Sequence, residues 1–180
     1  MVNPNVYTWD TAHEGDASAP FTYEVTEERI LDYCRAVRYE NPAYSNESAA
    51  KAMGLPGIIA PPTMCFVYAP LRLDDLASRR RCLLPARATA GQRTPFVSSE
   101  VTFLGSLVRP SDTVASTTSL QRKWERGGDK LLTFLVTGRN QEGQQVCEYT
   151  YTVLWEPAGG GPKSKGLRQR LTSRTTRSRS

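Results

Sequence analysis

The spacing of apolar residues changes midway along this chain. Phe21, Tyr23 and Val25 alternate with Thr22 and Glu24, which predicts a short strand over residues 21–25. Thr26 then caps a helix whose first turn carries Glu27 and Glu28, and Ile30, Leu31, Cys34 and Val37 recur on one helical face. A second short helix is expected from Asn46 to Gly54, with Ala49, Ala50 and Met53 facing inward. After the turn Leu55-Pro56-Gly57, a buried helix is expected over 62–76 that carries Met64, Phe66, Val67 and Leu71, with Pro70 kinking it or cutting it short. Residues 79–94 are polar and basic and read as a long loop.

Beyond residue 95 the period becomes two. Residues 96–104, 113–124, 130–139 and 145–155 read as four strands, with turns at Arg109-Pro110-Ser111-Asp112, Arg126-Gly127-Gly128-Asp129 and Asn140-Gln141-Glu142-Gly143. In the last of them Cys147, Tyr149, Tyr151, Val153 and Trp155 alternate with polar neighbours, as in an antiparallel sheet with one buried face. Helices early and a strand meander late imply an α+β fold, a curved antiparallel sheet around a central helix. Three parts are expected: a polar segment 1–20 with little periodic signal, a domain over 21–157, and a Gly-rich linker and basic tail over 158–180.

Composition changes this picture in three places. The chain has 180 residues, 39% of them hydrophobic, enough for one domain with a core of its own. Its net charge is +5, but residues 163–180 hold seven Lys and Arg and no acid, so the remainder is slightly acidic. That tail is expected to be disordered and solvated, and nucleic acid is not the expected partner. Cys34, Cys65, Cys82 and Cys147 form no Cys-x-x-Cys pair and are expected as reduced, mostly buried thiols of a cytoplasmic protein. His13 is the sole histidine and lies in the polar N-terminal stretch, so no metal site and no cofactor are expected. No run has the length and apolarity of a membrane span, and the N-terminus lacks signal-peptide regions.

Candidate chemistry centres on Tyr39-Glu40-Asn41-Pro42-Ala43-Tyr44 and, downstream, Ile58-Ile59-Ala60-Pro61-Pro62-Thr63. Together with Val108-Arg109-Pro110-Ser111-Asp112-Thr113 and Tyr149-Thr150, these pieces resemble, in order and spacing over residues 21–155, the MaoC-like (R)-specific hydratases and dehydratases. The likeness is to their N-terminal-type domains, which include non-catalytic subunits of hydroxyacyl-thioester dehydratases. The resemblance implies a hot-dog fold, a sheet wrapped around a buried helix. In that family the first run reads Asp-x-Asn-Pro-x-His, and Asp and His carry the proton transfers. Here Tyr39 stands at the Asp position and Tyr44 at the His position, while Asn41-Pro42 stays.

The family reaction adds or removes water across a thioester-conjugated double bond, and a carboxylate with an imidazole suits it near neutral pH. Tyrosine, with an ordinary pKa near 10, is a poor general base. The first reading is therefore an accessory, acyl-thioester-binding subunit of a dehydratase or hydratase, inactive alone and paired as homodimer or as heterodimer with a catalytic MaoC-like subunit. Its substrate would be an acyl-CoA or an acyl chain on a carrier protein. By family position Ala60, Pro61, Pro62 and Thr63 would hold the thioester carbonyl, and Met64, Phe66 and Val67 would line an acyl tunnel. A second reading is an active homodimeric lyase, or a thioesterase, that uses Glu40, Tyr39 or Tyr44. A third is a binding module that acts through the basic tail. Simple readings stand beside these: Tyr44 as packing, Asn41-Pro42 as a turn, Glu40 as a solvated acid, Met64, Phe66 and Val67 as core, and His13 as inert.

Overall fold

The computed structural model describes residues 5–84 and 95–158. The expected basic tail and the greater part of the expected loop 79–94 lie outside the described residues.

Five strands form one antiparallel sheet: β2 (Phe21–Glu24), β4 (Phe96–Thr102), β5 (Thr113–Arg126), β6 (Asp129–Arg139) and β7 (Gln145–Glu156), in the order β2-β5-β6-β7-β4. All five correspond to strands expected from the alternation, with ends moved by one or two residues. β5, β6 and β7 make the long centre of the sheet, and irregularities at Leu120/Arg122 and Gly138/Arg139 bend it. A short parallel pair, β1 (Asn5–Val6) with β3 (Cys82–Leu83), stands apart from it.

On one face lie α1 (Glu27–Val37), α2 (Glu47–Ala52), α3 (Cys65–Tyr68) and α4 (Leu73–Arg79). α1 starts as expected: the Thr26 hydroxyl accepts the Arg29 N–H at 3.2 Å. Its inward face is narrower than expected. Ile30 and Cys34 are buried, but Val37 is exposed. In α2 only Ala50 is buried, and Met53, expected inside, is 56% exposed just past the helix end.

The single helix expected over 62–76 is three pieces. A 3-10 turn (Pro62–Met64) runs into α3, the chain breaks at Ala69-Pro70, and α4 follows, extending past Leu76 to Arg79. Pro70 has no N–H to continue α3, which accounts for the break. The sheet takes up the backbone groups thus released. Tyr149 Oη donates to the Ala69 carbonyl at 2.7 Å, and Arg72 N–H donates to Thr118 Oγ1 at 3.0 Å. Directly beneath sits Gly138, where a Cβ would lie 3.1 Å from Val114 Cγ1 and 3.5 Å from Ala69 Cβ. Phe66 and Val67, expected in the core, point to the surface with about two-fifths of their area exposed.

The core is two clusters side by side. One joins α1, the Pro62–Met64 turn and α3 to Val114, Val136, Cys147 and Tyr149. The other joins α4 and the N-terminal segment to Leu120, Leu132, Phe134, Val153 and Trp155, and Leu71 and Tyr151 pack against both. The segment read as polar and without pattern is thus part of the packed structure. Tyr7 is fully buried, its hydroxyl donates to Asp16 Oδ2 at 2.8 Å, and Asp16 Oδ1 meets Arg80 at 3.3 Å. Lys123 Nζ donates to the carbonyls of Trp9 and Ala12 at 2.6 and 2.7 Å. The polar residues that hide this segment from a hydrophobicity pattern are the ones that hold it in place.

Candidate functional site

The loop from residue 38 to 46 is built almost wholly from caps. Arg38 adopts the left-handed conformation (φ 56°), and Tyr39 N–H reaches back to the Cys34 carbonyl at 2.8 Å, closing α1. Asn41 Oδ1 accepts the Ala43 N–H at 3.0 Å and starts a 3-10 turn over Pro42–Tyr44. Asn46 Oδ1 accepts the Ala49 N–H at 2.8 Å and starts α2. Asn41-Pro42 therefore has a complete structural explanation, as the sequence allowed.

This geometry brings Tyr39 and Tyr44 together. Their rings meet edge to face, with centroids 5.3 Å apart and planes at 83°. Tyr39 is 43% exposed, while Tyr44 is half-buried against the first core cluster. Burial first, then the neighbouring Tyr39 and Cys34, raises the Tyr44 pKa above its ordinary value. A phenol shifted in that direction stays protonated and does not serve as a base at neutral pH. Glu40 is exposed. His13 is exposed too, on the segment that packs at the far end of the sheet.

The second motif faces a different wall. Ala60 N–H donates to the Val108 carbonyl at 2.8 Å, so that amide is already used. Pro61 and Pro62 have none, and Met64 N–H is taken by the Pro61 carbonyl at 2.9 Å. Of Ala60 to Thr63, Thr63 is the residue whose amide has no hydrogen-bond partner among the described residues. Its side-chain oxygen accepts from Tyr33 Oη at 2.9 Å. Upstream, Gly57 has φ 153° and leaves space where a Cβ would fall 2.9 Å from a Glu47 carboxylate oxygen. Glu47 bonds Lys51 at 2.9 Å and the Ile58 N–H at 3.2 Å, and these partners, Lys51 foremost, lower its pKa. That carboxylate anchors the loop to α2.

Between the 59–62 run and residues 101–108 lies an apolar cleft of about 140 Å³. Ile59, Ala60 and Pro62 form one side, Phe103, Leu104 and Leu107 the other, and Cys65 and Cys147 also line it. Of the residues expected at a thioester or acyl site, Ala60 and Pro62 line this cleft. Met64 is fully buried in the core, Phe66 stacks on Tyr149 at 4.7 Å, and neither these nor Val67 line it. Tyr39 and Tyr44 are not among its lining residues. The wall 103–107 is irregular chain, and a strand was expected there only as far as Leu104. Cys147 carried a usable signal, the parity it shares with Tyr149.

Known proteins bear on this geometry. A family profile described as the FAS1-like dehydratase domain region matches residues 12–149. A UPF0336 protein of Streptomyces coelicolor is 52% identical over 44 residues, 24% of this chain and 29% of its own length. One of Saccharopolyspora erythraea is 26% identical over 144 residues, 79% of this chain and 88% of its own. The chain thus spans less than a third of the first relative and most of the second.

Among solved structures, a chain of the truncated HadBC (3R-hydroxyacyl-ACP dehydratase) complex of Mycobacterium tuberculosis superposes with a TM-score of 0.60 at 20% identity, over 78% of this chain and 95% of that one. A chain of the ChsH1-ChsH2 complex from the same organism gives 0.58 at 22%, over 80% and 91%. A MaoC-like dehydratase from Rhodospirillum rubrum gives 0.58 at 18%, over 82% and 97%. These identities carry the fold, and the profile carries the family. The chain belongs to the FAS1-like dehydratase-region family and has the hot-dog fold of the MaoC-like hydratases and dehydratases.

Proposed function

We propose that this chain is an accessory, acyl-thioester-binding subunit of an (R)-specific 3-hydroxyacyl-thioester dehydratase (in reverse, an enoyl-thioester hydratase). One observation carries the reading. Tyr39 and Tyr44, which the resemblance sets at the family's acid–base positions, lie on a capped loop and pack edge to face on each other. Water addition needs one group to move the hydroxyl proton and geometry to stabilise the enolate. A ring pair whose half-buried member is shifted toward its neutral form supplies no base. Glu40 and Tyr44 as substitute catalysts, the second reading, gain nothing from this arrangement.

Binding is a separate matter from catalysis. The cleft beside residues 59–62 suits an acyl chain of an acyl-CoA or acyl-carrier-protein thioester, and Thr63 N–H, which like Pro61 lies outside the cleft's lining, is the donor we assign to its carbonyl. The catalytic carboxylate and imidazole would come from a second MaoC-like subunit. Among the described residues β4 is a sheet edge paired on one side only, to β7, and Phe96, Val97, Phe103, Leu104 and Leu107 are exposed on or beside it. Phe103 alone has 72% of its area open. Two of the superposed structures are complexes of unlike subunits by their own descriptions. Among the described residues no helix is long and apolar enough to cross a membrane, and we place the subunit in the cytoplasm with its four thiols reduced. Co-expression with a MaoC-like subunit that retains Asp and His tests the reading. A stable complex that turns over trans-2-enoyl thioesters supports it, and failure to associate with such subunits across a panel overturns it.

A further inference from the structure

The apolar cleft has an open mouth and a closed inner end. Phe103, Leu104 and Leu107 at the mouth are 72%, 41% and 43% exposed, whereas Cys65, Tyr68, Val108, Val146 and Cys147 are each at most 8% exposed. The two walls are pinned to each other where Ala60 N–H meets the Val108 carbonyl at 2.8 Å. No charged side chain is among the lining residues, so a phosphate or a carboxylate inside would lose its water without gaining a partner.

Behind Cys147 the packing leaves no room. Cys147 stands opposite Gly138 in the sheet, where even a Cβ would fall 3.1 Å from Val114 Cγ1, 3.4 Å from Cys147 Cβ and 3.5 Å from Ala69 Cβ. Ala69 is itself held by the Tyr149 hydroxyl on its carbonyl, and Phe66 stacks on that tyrosine at 4.7 Å. An apolar chain that reaches Cys65 and Cys147 therefore ends against close-packed protein.

We propose that this cleft selects short acyl groups, of about six carbons or fewer, with Tyr68, Cys65 and Cys147 as its floor. The inference rests on the reading of the chain as a thioester-binding subunit and gives that subunit a substrate class. Thr63, the donor assigned to the carbonyl, is exposed and follows the lining residue Pro62, so the thioester stays outside and the acyl chain runs inward. Volume then sets the limit. The cleft holds about 140 Å³, and an apolar protein cavity of about 150 Å³ holds one benzene. Each methylene placed inside tightens binding about fourfold. Each one beyond the limit stays outside or displaces packed side chains, which costs more than its burial gains. A second subunit over the Leu107 wall would extend the mouth and not the floor, because the floor residues are buried within this chain.

The experiment is isothermal titration of the native full-length chain with saturated acyl-CoAs of four, six, eight, ten and twelve carbons, with free CoA as the reference. The expected result is affinity that tightens about fourfold per added carbon up to about six carbons and then levels off. In Tyr68→Ala the break should move out by two carbons or more, since loss of the phenol deepens the floor. Affinity that climbs at the same slope to twelve carbons overturns the length limit and leaves the thioester-binding reading standing. No binding at any length overturns both. A folded Tyr68→Ala variant whose break stays in place overturns Tyr68 as the floor. The wild-type series decides the length limit even if the variant fails to fold.

Discussion

Tyr44 shows at the scale of one residue how the loop holds a ring at the position we assign to the family's histidine. The 3-10 turn that carries it is fixed by Asn41 and Pro42, so any side chain at position 44 is delivered to the same place. A ring there packs on Tyr39 and on the core. Tyr44→Phe keeps the ring and removes the hydroxyl. It should leave the turnover of an assembled complex within about twofold, whereas a catalytic acid would show a loss of roughly 10²- to 10⁴-fold. Steady-state kinetics on the complex distinguish the two.

Other tyrosines make a pH prediction. Burial raises Tyr7, Tyr68 and Tyr149 well above the usual phenol, with Asp16 adding to the effect at Tyr7. In the unfolded chain these groups titrate near pH 10. Below that pH both states hold the protons and the contribution is complete. Above it the unfolded state gives them up while the folded state does not, so stability falls as pH rises. Urea midpoints should be level from pH 7 to 9 and drop steeply by pH 11. A midpoint that stays level through pH 11 would contradict the burial of these hydroxyls.

At the scale of elements, the sequence disclosed some parts better than others for physical reasons. The strands were legible because one face of β5, β6 and β7 is buried and the other is not. The capped start of α1 was legible too, since Thr26, Glu27 and Glu28 act locally. The helix expected over 62–76 was not, because its break depends on partners remote in sequence. Thr118 and Tyr149 satisfy the backbone at 69–72, and no local pattern announces them. In the same way Tyr7 is held by Asp16, and Lys123 holds Trp9 and Ala12 by their carbonyls. Of the residues expected at a thioester or acyl site, Ala60 and Pro62 line the cleft, and its other lining residues were not among those expected.

The split helix gives a testable contrast. Met64 is fully buried, and Met64→Ala should destabilise the protein by about 2–5 kcal/mol. Phe66 is 41% exposed on the same stretch, and Phe66→Ala should lose distinctly less in the isolated chain. Urea melts of the two variants side by side check this. Equal losses would restore the continuous buried helix.

At the scale of the whole molecule, the exposed edge and its apolar neighbours are the features that the isolated chain does not explain. Leu107 lines the cleft and is 43% exposed. If a second subunit covers this wall, Leu107→Glu should leave the unfolding free energy of the isolated chain nearly unchanged in urea melts, within about 0.5 kcal/mol, as for ordinary surface changes. The same change should abolish assembly in light scattering, since a charge buried without a partner is costly. A variant that still assembles would move the interface elsewhere.

The central claim is that this subunit binds a thioester and does not turn it over alone. The most direct measurement is hydration of short and long trans-2-enoyl thioesters by the pure chain, with its mass in solution determined on the same sample. The account predicts no turnover above the uncatalysed rate, and activity only after a subunit bearing Asp and His is added. Turnover by the pure homogeneous chain, lost in Glu40→Gln or Tyr44→Phe, would contradict it.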